Sequence, residues 1–483
     1  MYKISTKIKN YFFQGLVYGF GSGFDALIGF LVLPLYATSF STEEYGIFSI
    51  LILLSTLSSS FFYLGASSAL SRSYFDYDKE KDRRKIVSTS LYITVFGAIL
   101  QVLFGLLFAE NLSQILFDNP NYTNHIFLIL ISSSLLFINQ LFYLLLRLLM
   151  RSVQVVSVSI FSSIVFLSLL FIFLKNYNLG ILSPILAFNI SYGLSTIILV
   201  FLCRKHFSLF PNVEEFKIQL LFGLPQIIIG FSYYLIDWID RIFINEYLSL
   251  SDVGIYSFAY KIGMLIQIGF VIPFSKIWNP IRSENLNSEN ITTISSKILT
   301  YFYLFGSIFS LFIIIFIKEF FLLFSGGSDE FIVGQYVVPF VLFGHLFYGM
   351  INIMDIGLFK ARKPMYTGII LLVHIPINVI LNLILIPKTG FGFGYYGAAL
   401  STLLTYLSLI LSVAYISNKF LFVKYEKRNF LIISFFSCLS VFLSIYYFDN
   451  LNLFSPYKFL LMLLLLGFYY YYFNQDLKKL LRK

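Results

Sequence analysis

Along this chain, apolar stretches of eighteen or more residues recur from end to end, separated by short clusters of charge or turn residues. A bilayer core of roughly 30 Å needs about twenty residues of helix, so each stretch predicts a membrane span. The runs fall near 12–39, 46–70, 86–109, 126–149, 153–174 and 181–203. After a polar stretch at Arg204–Lys217, six more follow near 220–244, 253–275, 297–317, 333–357, 365–386 and 394–417, and two last ones near 429–448 and 456–473. The first run is too long for a signal-peptide core and has no small-residue cleavage site, so it is expected to stay as the first helix.

The polar residues orient these spans. With the amino terminus on the cytoplasmic side, 28 of the 34 lysines and arginines fall in cytoplasmic loops or termini. The opposite side holds five, Lys175, Arg241, Lys318, Lys388 and Lys458, and Lys261 is left inside a helix. That asymmetry predicts an even number of spans with both termini cytoplasmic, in a multi-pass protein expected in the cell (inner) membrane. The richest cytoplasmic loop is Arg72–Lys85, whereas Glu43-Glu44, Glu110, Asp118 and Asp329-Glu330 lie on the other side.

Composition agrees. A soluble domain carries about a quarter charged residues; this chain carries 12% charged against 58% hydrophobic and 20% aromatic, with a mean hydropathy of +0.83. The net charge of +10 sits in orientation clusters, which argues against a nucleic-acid partner. Two cysteines, Cys203 and Cys438, lie far apart in apolar runs and read as packing residues. No loop exceeds roughly twenty residues, leaving no room for a soluble catalytic domain. Asp76-Tyr77-Asp78 has the Asp-x-Asp form of metal-dependent glycosyltransferases, but a short charged loop is the wrong setting for that chemistry.

The chain also repeats. STEEYGIFS at 41–49 and LSDVGIYS at 250–257 place Gly46 and Gly254 208 residues apart, and Leu194-Ser195-Thr196 is echoed by Leu400-Ser401-Thr402. Both halves start on the cytoplasmic side, which makes them parallel repeats about an axis along the membrane normal. The expected fold is an all-α integral membrane protein of about fourteen transmembrane helices. It has two six-helix lobes, 1–205 and 206–425, around a central cavity, and 426–483 adds helices 13–14 and a basic cytoplasmic tail.

Several polar residues lie where lipid would penalise them. Asp25 sits fourteen residues into the first span, where a carboxylate needs a partner, a proton or water. Asp237 and Arg241 are spaced i, i+4 and can pair on one face, with Asp240 between them. Lys261 has no carboxylate at i±3 or i±4 and sits about 12 Å from the nearest interface at 1.5 Å per residue. Arg147 and Arg151, also i, i+4, close the fourth span and read first as positive-inside anchors. His345 and His374 read as hydrogen-bonded packing residues. Gly223-Leu224-Pro225 near the start of the seventh span fits either a bent helix or a helix start with proline in its first turn.

Several stretches resemble one family over nearly the whole chain: STEEYG at 41–46, SSALSRSY at 67–74, GLPQ at 223–226, Asp240-Arg241, GIYSFAYK at 254–261, and LNLILIPKTGFGFGYYGAALST at 381–402. The resemblance is to the Wzx-type polysaccharide flippases of the multidrug/oligosaccharidyl-lipid/polysaccharide exporter superfamily. It implies a transporter rather than an enzyme, whose cargo is an undecaprenyl-pyrophosphate-linked oligosaccharide, the repeat unit of O-antigen or another surface polysaccharide. Implied partners are that lipid-linked oligosaccharide, membrane lipid and the polysaccharide polymerase machinery. The resemblance makes Lys261 and Arg241, flanked by Arg147 and Arg151, candidate ligands of the pyrophosphate. Asp25 and Asp240 become candidate ion-coupling carboxylates, with a proton or sodium ion as the coupling ion and no other cofactor. Two rivals stay open: a drug/cation antiporter of the same superfamily, which should prefer an acidic cavity, and a membrane polysaccharide polymerase or ligase, which usually needs a large external loop.

Overall fold

The computed structural model describes residues 2–75, 77, 79–208, 211, 213–363, 365–447, 453 and 455–481, and their regular structure is helical throughout. Asp76 and Asp78 of the Asp-x-Asp match lie outside the described residues. Buried in hydrocarbon, a backbone must satisfy its own hydrogen bonds, and in an apolar sequence of this length helices are the means. Twelve helices among the described residues are long and apolar enough to span a bilayer. Helices over Val213–Trp238 and Pro456–Leu481 occupy two further expected spans, so the observed set agrees with about fourteen.

The chain divides into two compact units, Met1–Ile242 with Ser249–Gly254, and Phe243–Leu248 with Ile255–Lys483. The first contains α1 (Tyr2–Ala37), α2 (Thr42–Phe62), α3 (Ala66–Ser73), α4 (Glu80–Phe117), α5 (Thr123–Leu148), α6 (Ser152–Lys175), α7 (Leu182–Cys203) and α8 (Val213–Trp238). Helices α9 (Asp240–Tyr247) and α10 (Leu250–Gly263) come next. The second unit holds α11 (Ile272–Glu284), α12 (Ile291–Ile315), α13 (Ile317–Ser325), α14 (Val338–Met354), α15 (Ile356–Lys360), α16 (Met365–Leu385), α17 (Gly394–Asn418), α18 (Lys427–Tyr447) and α19 (Pro456–Leu481).

In the first unit α5 packs between α4 and α7, α6 lies on α7 and α1, and α8 lies on α2 and α3. The expected second span is two helices. Leu64 and Gly65 both have positive φ (54° and 64°), which ends α2 and starts α3 in a new direction. A glycine is needed at 65 for this conformation and for contact, because Gly65 and Gly223 of α8 meet so closely that a Cβ on either would overlap the other segment's backbone. Helix α8 runs through Gly223-Leu224-Pro225, well past its first turn, so the motif is not a helix start. Replacing Gly223 by valine should therefore lower stability by about 1–3 kcal/mol, the usual cost of overpacking. A thermal melt of the purified protein checks this, and an unchanged midpoint would show that the crossing gives way.

In the second unit α14 is the central helix, packed on α12 and α17, and α17 also carries α16. Gly397 lets α17 approach the Leu385 carbonyl at the end of α16, with Ala398 and Ala399 fully buried beside it, as the small residues there lead one to expect. Helices α18 and α19 both lie on α12. Cys203 is buried, but Cys438 on α18 is exposed and packs no core.

Candidate functional site

The repeated motif is a helix start in both copies. Before α2, the Ser41 hydroxyl accepts the Glu44 N–H at 3.1 Å and the Ser41 N–H donates to Glu44 Oε2 at 3.0 Å. Before α10, the Ser249 hydroxyl accepts the Asp252 N–H at 3.1 Å and donates to Asp252 Oδ2 at 2.5 Å. Each serine thus satisfies an amide that the first turn leaves open. The copies also pack on each other. A Cβ on Gly46 would overlap the Leu250 carbonyl, one on Gly254 would overlap that of Thr42, and the Thr42 and Ser251 hydroxyls are hydrogen-bonded at 2.7 Å.

Asp25 lies on an exposed face of α1, where Ser159 and Ser163 of α6 donate to its two carboxylate oxygens at 2.7 and 2.9 Å. Tyr143 of α5 and Tyr192 of α7 are within electrostatic reach of the same carboxylate. Arg147, exposed one turn beyond Tyr143, is within reach of Tyr143, of Tyr18 on α1 and of Tyr63 at the end of α2. Beneath them Asn139 donates to the Tyr192 carbonyl at 3.1 Å and accepts from the Thr196 hydroxyl at 2.8 Å. Asp25 and Arg147, assigned separately in the sequence, thus flank one tyrosine on a polar face of the first unit. The serines were missed, although their i, i+4 spacing inside an apolar run is visible in the sequence.

Arg151 does not extend this face along α5. That helix ends at Leu148, Met150 turns with φ 58°, and Arg151 is the N-cap of α6, so the i, i+4 spacing spans a turn rather than a helix face. Arg151 is exposed, and Cys203 and His206 lie within its electrostatic reach.

Arg241 is 1% exposed, and Asp237 and Asp240 are equally buried. Its Nε donates to the Ser49 hydroxyl of α2 at 3.2 Å, and its Nη1 donates to the backbone carbonyl of Asp237 at 3.2 Å. The guanidinium lies over the Trp238 ring, 4.2 Å from its centre. Helix α8 ends between the two, so Arg241 caps the carbonyl end of α8, a favourable place for a cation. Lys261 is exposed on α10 in the second unit. The histidines are packed and hydrogen-bonded, His345 Nε2 to the Tyr260 hydroxyl at 3.0 Å and His374 Nδ1 to the Ile370 carbonyl at 2.7 Å.

Residues 14–286 match the polysaccharide biosynthesis protein family. No curated protein matches the chain. Among solved structures, the lipid II flippase MurJ in an inward closed conformation aligns with a TM-score of 0.77 at 18% identity, covering 96% of this chain and all of its own. An inward-facing multidrug resistance MATE family transporter of the MOP superfamily aligns at 0.66 and 14% identity, covering 82% of this chain and 95% of its own. A mutant of the Vibrio cholerae MATE transporter VcmN aligns at 0.58 and 16% identity, covering 87% and 99%. The fold is the one these transporters share, and the match over residues 14–286 establishes that this multi-pass membrane protein belongs to the polysaccharide biosynthesis protein family.

Proposed function

We propose that the protein flips a lipid-linked oligosaccharide, an undecaprenyl-pyrophosphate-linked repeat unit of O-antigen or a similar surface polymer, from the cytoplasmic to the outer leaflet by alternating access. Carrying a pyrophosphate and several sugars through hydrocarbon unaided would leave charged and hydroxyl groups unpaired at a cost of tens of kcal/mol. A hydrated protein face removes most of that cost while the polyprenyl tail stays in lipid.

The observation that carries the reading is Asp25. A carboxylate exposed on a membrane helix, yet held by two serines and sharing Tyr143 with Arg147, belongs on a wetted surface rather than against acyl chains. Family membership sets this transport in polysaccharide assembly. The flippase alignment extends over 96% of the chain, against 82% and 87% for the two MATE transporters, which favours the flippase over the drug antiporter.

The test is reconstitution with a fluorescent undecaprenyl-pyrophosphate-linked oligosaccharide, followed by loss of accessibility to an impermeant quencher. The wild type should move it, and Asp25→Asn should slow it by about tenfold or more, each tenfold corresponding to about 1.4 kcal/mol. Cation-driven efflux of ethidium without glycolipid movement would assign the protein to drug export instead.

A further inference from the structure

At the far end of the tenth span from its external loop, the second unit holds a cavity of about 400 Å³ between α11 and α14. That volume is within the range of sites that hold small molecules. Its polar lining includes Gln267, Lys276, Asn279, Tyr348, Asn352 and Asp355. None of these was singled out by sequence.

The cavity has a local cause. Between α10 and α11 the backbone is π-helical over Gln267–Val271, which widens the turn and shifts the residues after it around the helix axis. Opposite, Gly349 of α14 meets Val271 and Phe302, and a Cβ there would come within 2.8 Å of each.

The walls are hydrogen-bonded in a way that commits some groups and leaves others open. Trp278 Nε1 and Arg282 Nη1 both donate to the Asn352 carbonyl, at 2.8 and 3.0 Å. Arg282 also pairs with Asp355 at 2.9 Å, so the only carboxylate on the lining is already neutralised. Asn352 Nδ2 donates to Asn279 Oδ1 at 3.0 Å. That leaves the amide donors of Asn279 and the amide acceptor of Asn352 without partners among the described residues. Gln267 Oε1 is buried and has no partner either. Lys276 makes no ion pair among the described residues.

We propose that this cavity is a docking subsite for a phosphorylated sugar, in which Lys276 takes a phosphoryl oxygen while Asn279, Asn352 and Gln267 read the hydroxyls of the attached sugar. The assignment rests on the flippase reading and names the part of the cargo that this cavity holds. Lysine is a compact charge suited to phosphate, and Lys276 is exposed at the cavity, where a ligand can reach it. Carboxamides match sugar hydroxyls, which donate and accept at the same oxygen, and Tyr348 supplies a flat wall for a pyranose ring. A pocket with one net cation and unsatisfied amides favours an anionic glycan over a cationic drug. Position supports the order of events, because the basic-residue pattern puts these helix ends on the cytoplasmic side, where the cargo is made.

The test uses the full-length protein in nanodiscs. The chain has two tryptophans, so Trp238→Phe, which keeps a ring over Arg241, leaves Trp278 as a fluorescent reporter hydrogen-bonded to the cavity wall. The probes are a short-chain prenyl pyrophosphate bearing one N-acetylhexosamine, the same prenyl pyrophosphate without sugar, and nanodiscs containing phosphatidylglycerol alone. Saturable change in Trp278 emission is expected with the glycosylated probe, and weaker binding without the sugar. Lys276→Gln should raise the half-saturating concentration by about tenfold, while Lys276→Arg should stay within about twofold, because the charge-assisted contact survives. Binding of radiolabelled probe to protein with both tryptophans repeats the measurement without the reporter substitution. Unchanged affinity in Lys276→Gln overturns the assignment, and so does saturation by phosphatidylglycerol alone, which would make the cavity a lipid head-group site. If the wild type flips glycolipid and Lys276→Gln binds and flips it equally well, only the subsite falls. A wild type that flips no lipid-linked glycan removes the flippase reading and the subsite together.

Discussion

With cysteines at Thr42 and Ser251, glycolipid movement is expected to stop under oxidising conditions and to return on reduction. The two hydroxyls are 2.7 Å apart, close enough that cysteines in their place can form a disulfide. The bridge would tie together the starts of α2 and α10, the two copies of the repeated motif, where Gly46 and Gly254 already allow backbone to touch backbone. The basic-residue pattern assigns these starts to the external side, and the proposed release of cargo to the outer leaflet is expected to part them. Glycine at both positions suits such a contact, because no side chain interlocks and the two segments are held by backbone proximity and one hydroxyl pair. Cys438 is exposed and should be serine in the background, to keep it out of intermolecular bridges. Wild-type flipping with the bridge fully formed would show that this contact does not open during transport, and alternating access by separation here would be abandoned.

The spans themselves were legible because hydrocarbon demands long apolar helices, and fourteen runs supply them. What the sequence concealed lies at the ends and irregularities of helices. The apolar run through Phe62 to Leu70 reads as one span, yet positive φ at Leu64 and Gly65 divides it. Arg147 and Arg151 have helical spacing, but Met150 reverses the chain between them. Nothing local distinguishes a helical i, i+4 pair from one straddling a tight turn. Asp25 was legible as an anomaly, but its serine partners lie 134 and 138 residues away, and such pairing is a property of packing. Arg241 shows the same limit: its i, i+4 relation to Asp237 is visible, whereas its contact with Ser49, 192 residues away, is not. The cavity beside Lys276 depends on a π-helical register shift that no periodicity in the sequence announces.

Glu319→Gln is expected to destabilise the second unit by about 3–5 kcal/mol, because it leaves a buried ammonium without its counter-charge. Glu319 of α13 and Lys458 of α19 form an ion pair at 2.8 Å, with side chains 7% and 1% exposed. Lys458 is one of the five basic residues that the charge pattern assigns to the external side, and it is buried. It also occupies the first turn of α19, where the helix dipole disfavours a cation, so the carboxylate is what makes lysine tolerable there. Around the pair the contact is apolar. The Phe459 ring meets Phe316 with centroids 5.0 Å apart, and Leu465 joins Leu311 and Ile315 of α12. The pair therefore fixes one end of α19 while these side chains hold its length. Removing both charges, as in Glu319→Gln with Lys458→Met, should recover most of the lost stability, since an apolar replacement of a buried pair is often neutral or better. Thermal unfolding of the two single variants and the double variant in one detergent measures the coupling. Additive losses, with the double variant losing the sum of the two single ones, would show that the two charges do not act as a pair, whereas recovery in the double variant assigns the anchoring to the pair. If flipping then tracks stability across the series, the last helix acts by being held in place rather than by carrying charge.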